Sequence, residues 1–410
     1  MTNEVKNVPE LRFPEFDGEW EEKKIGELSQ KTISGGTPRT SKLEFWNGDI
    51  PWIQSSDLSM NKLYIDCSNK SITEEAIDNS SAKIIPAKSI AIVTRVGVGK
   101  LAFVDFKYST SQDFISLANL IFDTNFSIYS LYNKIKIISK NLQGTSIKGI
   151  TKNELLNTEL LMPIDIAEQQ KNGEFFSKLD RQIELEEQKL AKLEEQKKGY
   201  MQKIFSQQLG FKDENGNEYP TWQSYKLGNL YKKGKAGGTP KSTESKYYNG
   251  EVPFLSISDI TEQGKFIMNT EKSITQEGVD NSTAWLVPVN SINYAMYASV
   301  GYLSINKIEV ATSQAIFNMV FEDNNLVEYI YYYLNHIRDK GILEKLVGTG
   351  TQSNLSASIM KSMYIKLPDY EEMVKITDFL SKVDKLIEKQ NQKIDGLKER
   401  KKGFLQKMFV

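Results

Sequence analysis

Gly35-Gly36-Thr37-Pro38-Arg39 recurs 202 positions later as Gly237-Gly238-Thr239-Pro240-Lys241, and that recurrence decides how the chain is built. The same offset relates Trp20 to Trp222, Asn47-Gly48 to Asn249-Gly250, Pro51 to Pro253, and Asp57 to Asp259. It carries Lys70-Ser71-Ile72-Thr73 onto Lys272-Ser273-Ile274-Thr275, Asp78-Asn79-Ser80 onto Asp280-Asn281-Ser282, and Ser111-Gln112 onto Ser313-Gln314. An offset held constant from Trp20 to Gln112 is not chance; it makes the chain two copies of one unit of about 200 residues. The offset then becomes 205 between Met162-Pro163 and Leu367-Pro368, and 204 between Phe175 and Phe379 and between Lys197-Lys198-Gly199 and Lys401-Lys402-Gly403. The register therefore changes in loops at the end of the first part of each copy.

Each copy has two parts. Residues 20–163 and 222–368 mix short strand-like runs with turn signals and a later helical stretch, so this part is α+β. Residues 89–94 read as a buried strand with 287–294 as its counterpart in the second copy, 128–142 and 326–346 as helices, and the two Asn-Gly dipeptides as turns. The second part is a long helix. Leu179, Ile183, Glu186, Leu190, Leu193, Lys197, Tyr200 and Ile204 alternate by four and three residues, which is a heptad seam. Val383, Ile387, Gln390, Ile394, Leu397, Lys401, Phe404 and Met408 repeat it. The polar members sit at the same two places in both seams, as residues that fix register or orientation do. The simplest packing is of one seam on the other. As an antiparallel coiled coil it would hold the two globular parts at opposite ends, pseudo-two-fold symmetric. Residues 175–204 would span about 45 Å at 1.5 Å per residue.

Composition removes much chemistry. The 410 residues carry 52 basic and 53 acidic side chains, one cysteine, Cys67, and one histidine, His336. A Cys/His zinc site and an internal disulfide are therefore excluded. A histidine-based triad would have to use His336, which lies in a helix-like run and has Lys134 as its repeat counterpart. Arg95-Val-Gly-Val-Gly-Lys100 echoes a phosphate loop, but Thr94 and Leu101 stand where glycine and Ser/Thr are required. No dinucleotide fingerprint occurs. No stretch of about 18 apolar residues predicts a membrane span, and residues 1–16 have no apolar signal region, so a cytoplasmic protein is expected.

What remains is binding. Gly35, Gly36, Thr37 and Arg39, with Gly237, Gly238, Thr239 and Lys241, offer backbone N–H groups, a hydroxyl and a cation suited to phosphate, or else form a tight structural turn. Ser55, Ser56 and Ser258 are candidates for base edges, beside a structural aspartate, Asp57 or Asp259. Trp46, Trp52, Tyr247 and Phe254 read as core rather than stacking platforms. Between the copies Arg95 becomes Tyr297, Lys100 becomes Tyr302, and Thr94 becomes Met296. One scaffold with different side chains is what two different half-sites would need, and the fork of Arg95 suits guanine. A second polar loop carries Lys148 in the first copy and Gln352 in the second.

Taken together, the twofold repeat, Trp46-Asn-Gly-Asp-Ile-Pro51-Trp52 with Tyr248-Asn-Gly-Glu-Val-Pro253-Phe254, the Ser-Gln pairs, and helices ending in Lys-Lys-Gly-aromatic resemble the specificity subunit of type I restriction-modification systems. The resemblance covers essentially the whole chain. It implies target recognition domains at 1–163, with an arm at 1–19, and at 222–368. It implies spacer helices at 164–209 and 369–410 and a linker at 210–221. It also implies partners: double-stranded DNA, two modification (methyltransferase) subunits that methylate adenine at N6, and restriction (motor-nuclease) subunits. S-adenosylmethionine, ATP and Mg would sit on those partners, with no catalytic residue, metal or cofactor in this chain. The competing readings are a coiled-coil scaffold without DNA readout and an enzyme acting alone.

Overall fold

Ser89–Val93 is buried at every position because it has a hydrogen-bonded neighbour on each side. It is the middle strand of a five-stranded sheet in a computed structural model that describes residues 7–142, 149–297, 299–343 and 355–410. The strand order is Ser29–Ser34, Phe114–Leu120, Ser89–Val93, Leu101–Val104, Tyr64–Ile65, antiparallel except for the last pair. A three-stranded sheet runs Lys70–Ile72, Trp46–Ile53, Ser109–Thr110, and a ribbon pairs Glu21–Lys24 with Glu159–Met162. The second copy repeats all three sheets strand for strand. Its five-stranded sheet is Lys233–Ala236, Ile316–Val320, Ile292–Ala295, Leu303–Asn306, Phe266–Ile267.

Two expectations need correction. The Asn-Gly dipeptides do not join strands. They form a bulge inside Trp46–Ile53 and inside Tyr248–Leu255, where one partner residue, Ile72 or Ile274, faces two positions. Asn47 and Asn249 take positive φ (61° and 59°), and a Cβ on Gly48 would lie 2.5 Å from the Ile72 carbonyl oxygen. The segment 287–294 is not one strand either. Val287 makes a single bridge to Val310, and the strand begins only at Ile292. Between them Pro288 has no N–H to give a ladder and Asn290 has φ 61°. The later helices are Thr124–Leu142 and Asn324–Asp339; residues 344–346 of the expected span lie outside the described residues.

The chain divides into two compact units: Met1–Gln188 with Asn391–Val410, and Lys189–Gln390. Each takes part of both long helices, Ile166–Phe205 and Tyr370–Met408, of 40 and 39 residues. Of the seam residues, Leu179, Ile183, Ile204, Val383, Ile394, Leu397 and Met408 are buried, while Leu190, Leu193, Ile387 and Phe404 are partly so. Tyr200 is more open, with its ring edge-on to Phe379 at 5.0 Å.

In the first unit Phe175 meets Phe404, Asp180 pairs with Lys401 (2.6 Å), and Glu186 with Lys393 (2.9 Å). In the second, Lys197 pairs with Asp384 (2.6 Å). Within each unit the residue numbers rise along one helix as they fall along its partner. The charged seam positions, Glu186, Lys197 and Lys401, are thus ion-paired. Each aspartate also accepts a tyrosine hydroxyl from the globular part, Tyr129 on Asp180 (2.7 Å) and Tyr332 on Asp384 (2.5 Å).

The recurring tryptophans fix the start of each long helix. The Trp20 indole N–H donates to Glu168 (3.2 Å), which Arg12 also holds through two hydrogen bonds of 2.7 Å. Trp222 donates likewise to Glu372 (2.9 Å). Both glutamates lie in the first helical turn, where a negative charge is favoured. Trp20 also packs edge-on against Phe126 and Phe409, inside a core that includes Phe176 and Met408.

His336 is buried against Phe205, 5.2 Å between ring centroids. Burial, assisted by the nearby Lys340 charge, pushes its pKa down to about 4.

Two outcomes follow. Glu168→Ala should destabilise the first unit by about 1–3 kcal/mol in urea unfolding, because it removes the buried acceptor shared by the Trp20 indole and Arg12. For His336 the folded pKa lies below the unfolded value of about 6.5, so its contribution is complete above pH 6.5 and lost as pH falls towards 4. Melting curves of the second unit should show that loss, and His336→Gln should remove it.

Candidate nucleic-acid interface

Gly35, Gly36, Gly237 and Gly238 are selected by closeness, not by conformational freedom, since none of the four has positive φ. A Cβ on Gly35 would lie 2.0 Å from the Ser111 carbonyl oxygen, and one on Gly237 2.1 Å from that of Thr312. Gly35 N–H donates to Phe114 and Gly36 N–H to Thr110, while Gly237 donates to Ile316 and Gly238 to Thr312, all at 2.9–3.3 Å. These four N–H groups are committed inside the protein. The expectation that they face phosphate is corrected: the turn is structural. Aromatic side chains brace it, with the Trp52 and Trp46 indoles donating to the carbonyls of Gly36 and Arg39 and the Tyr248 hydroxyl to that of Pro240.

What the turn achieves is a meeting of two motifs 75 residues apart. The Thr37 hydroxyl donates to the Gln112 side-chain carbonyl, and Thr239 does the same to Gln314 (2.5 Å). From there a line of hydrogen bonds runs along one edge of the first unit. Ser111 N–H donates to Ile53 (3.0 Å), and Thr94 donates to Asp113 through both its N–H (2.7 Å) and its hydroxyl (2.9 Å). Ile150 N–H returns to the Thr94 carbonyl (2.8 Å). This edge brings Gly35, Gly36, Thr37 and Ser55 beside the hairpin tip 94–100.

Lys100 donates one of its three ammonium N–H bonds to the Ser55 carbonyl (2.8 Å), which ties the tip to the neighbouring loop. The tip bends at Gly97 and Gly99, with φ 96° and 110°. Arg95 is exposed there, with no ion-pair or hydrogen-bond partner for its guanidinium among the described residues. Ser56 and Arg39 are exposed as well. Asp57 is structural, accepting from Gln54 N–H (2.9 Å) and the Asn69 amide (2.6 Å).

In the second unit Met296 N–H donates to Ala315 and Leu355 N–H to Met296, both at 2.9 Å, which reproduces the edge. Its tip instead exposes Tyr297 and Tyr302, and Arg338 lies over the Tyr302 ring at 4.6 Å. Ser258 is exposed on the short helix Ile257–Gln263, whose start is capped by Ser256 and Asp259. Lys241 is exposed beside the turn. Lys148 and Gln352 lie outside the described residues. Gln112 and Gln314 were visible in the sequence as part of a repeated motif; their pairing with Thr37 and Thr239 was not, because it crosses 75 residues.

Comparisons with known proteins bear on the chain as a whole. The family described as "Type I restriction modification DNA specificity domain" matches residues 17–195 and 219–399. The type I restriction enzyme MjaIX specificity subunit of Methanocaldococcus jannaschii is 26% identical over 429 aligned positions, covering 95% of this chain and 93% of that protein. The EcoR124I/EcoR124II specificity subunit of Escherichia coli is 35% identical over 181 residues, 42% of this chain and 43% of that one. Among solved structures, the type I restriction-modification S subunit from M. genitalium superposes with a TM-score of 0.57 at 16% identity, over 98% of this chain and 99% of that chain. A chain from work on complex assembly and conformational transition of the type I R-M system gives 0.61 at 15%, over 95% and 97%. At these identities the structural matches speak for the fold. No helix among the described residues is long and apolar enough to cross a membrane.

Gly35→Ala and Gly237→Ala should each destabilise their own unit by about 1–3 kcal/mol through overpacking at the turn. Gly199→Ala, where a Cβ meets open space, is the control in the same thermal melt and should not destabilise.

Proposed function

We propose a division of labour for this chain, which belongs to the family of type I restriction-modification specificity subunits: each unit reads one half of a bipartite DNA site, and the long helices set the gap between the halves. The observation that carries this reading is the pair of hairpin tips. One hydrogen-bonded edge is built twice, and it presents Arg95 in one unit and Tyr297 with Tyr302 in the other. A guanidinium can grip guanine O6 and N7 in the major groove, which a tyrosine cannot do. Two copies of one frame with unlike tips suit a site whose halves differ.

The long helices supply the spacer. Their ion pairs and ring contacts support an antiparallel coiled coil, with its polar positions fixing register. Residues 175–204, about 45 Å of helix, match slightly more than one turn of B-DNA, about 34–36 Å. The half-sites would then fall on roughly one face of the duplex, several base pairs apart. The helices also dock two modification subunits, which carry S-adenosylmethionine and methylate adenine at N6. Motor-nuclease subunits with ATP and Mg complete the restriction enzyme, and this chain itself catalyses nothing. A near-zero net charge of −1 suits a subunit that shares DNA with those partners.

The test is an adenine-methylation map of a host without type I systems, expressing this chain with its modification subunit. One new bipartite motif, methylated on both strands, is expected. Exchanging residues 20–163 for those of a relative should alter one half-site only. Inserting a heptad into both long helices should lengthen the gap and leave the letters intact; letters that change with the insertion would refute the spacer role. An assembled complex that methylates nothing and binds DNA without sequence preference would refute the reading as a whole.

A further inference from the structure

The two units differ where they would read bases, yet one exposed polar device is the same in both. Thr37 holds Gln112, Thr239 holds Gln314, and a cation stands two residues beyond each threonine, at Arg39 and Lys241. In each pair the threonine hydroxyl donates to the glutamine carbonyl oxygen. That oxygen is held by the threonine, which leaves the amide NH2 as the group free to donate. The amide nitrogens have no hydrogen-bond partner, and Arg39 and Lys241 no ion pair, among the described residues.

The device sits next to the tips. The carbonyl of Asp113, the residue after Gln112, accepts from Thr94, one residue before Arg95. The carbonyl of Ala315, the residue after Gln314, accepts from Met296, one residue before Tyr297. A device repeated unchanged beside tips that differ cannot tell one half-site from the other. It must meet something that both halves of the DNA share.

We infer that Gln112 and Gln314 are sequence-independent phosphate ligands, with Thr37 and Thr239 as their positioning residues and Arg39 and Lys241 as the accompanying charges. A glutamine reads adenine by accepting from N6 and donating to N7 at once, which requires its carbonyl and its amide to face the base together. Here the carbonyl is anchored in the protein. The remaining NH2 donor, with an exposed cation two residues from its threonine in sequence, matches a phosphate oxygen, which accepts in every sequence. The inference rests on the DNA-reading function proposed above, and deepens it by separating contacts that position from contacts that specify.

The test uses the full chain assembled with its modification subunit, and a DNA panel comprising the mapped site, each half-site changed singly, and unrelated duplex. Gln112→Ala with Gln314→Ala should weaken binding about a hundredfold on every duplex alike, about tenfold for each hydrogen bond to a charged group that is lost. The methylated motif should keep all its letters. The salt dependence of binding should be unchanged, because no cation is removed, whereas Arg39→Gln with Lys241→Gln should flatten it by about two phosphates. Gln112→Glu with Gln314→Glu keeps the acceptor for threonine but replaces the free donor, and should bind at least as weakly. Thr37→Val with Thr239→Val should reproduce part of the loss with an unchanged melting temperature.

Unchanged affinity in the alanine pair would overturn the inference. So would a letter relaxed in the motif, which would make the glutamines base readers, or full binding by the glutamate pair. If the unmutated complex bound the mapped site no better than unrelated duplex, the underlying reading would fall, and this inference with it.

Discussion

A lysine of one long helix held against an aspartate of the other is the contact on which both units depend. Lys401 on Asp180 and Lys197 on Asp384 lie at seam positions that an apolar residue would otherwise fill. Each aspartate also takes a tyrosine hydroxyl from the globular part, so one carboxylate ties two helices and a domain together. A hydrophobic seam tolerates sliding by a heptad, whereas a lysine moved one heptad along loses its partner and remains a charge in a poorly hydrated place. The polar positions thus sacrifice some stability for a single register. At the head of each long helix, Trp20 and Trp222 bind a first-turn glutamate and set where the helix leaves the sheets.

The sequence made the duplication legible because identical residues recur at a constant offset, and it made the helices legible because their seam keeps its period without proline. The mixed α+β character of each half was also readable from alternating strand runs and turn signals. The site was less so, for reasons that particular residues show. Gly35 and Gly36 look like an open phosphate cradle when only their neighbours in sequence are known. What fills the space is the backbone around Thr110, Ser111 and Ser81, which no local pattern announces. Nothing local to Lys100 shows that the loop carrying Ser55 lies beside it and accepts from its ammonium. Asn47-Gly48 has the composition of a turn, but the strand continues through it because Ile72 pairs on both sides of the bulge. In each case a contact distant in sequence overrides a local preference.

The second unit shows how much a shared frame can vary. Its edge keeps the backbone hydrogen bonds of the first while the side chains around it change. Thr94, which bonds Asp113 twice, becomes Met296, which bonds Ala315 through its N–H alone. The turn held by Asp57 becomes a capped helix held by Asp259. Even the sheet interior differs, with Asn293, Asn306 and Asn318 fully buried and bonded to one another or to nearby groups in the second unit. Conformation is carried by the backbone, and identity by what hangs from it.

The composition of the first unit, residues 1–188 with 391–410, bears on how the protein is made. Leu11 N–H bonds the Lys407 carbonyl, and Trp20 packs on Phe409, so the earliest part of this unit waits for residues translated after the whole second unit. The second unit is one uninterrupted segment and can close around its own contacts as soon as that segment has left the ribosome. Synthesis in order therefore produces completion out of order. The recognition half that is translated first is finished last, and until then it exposes the apolar face of Phe126 and Phe176 that Phe409 will cover.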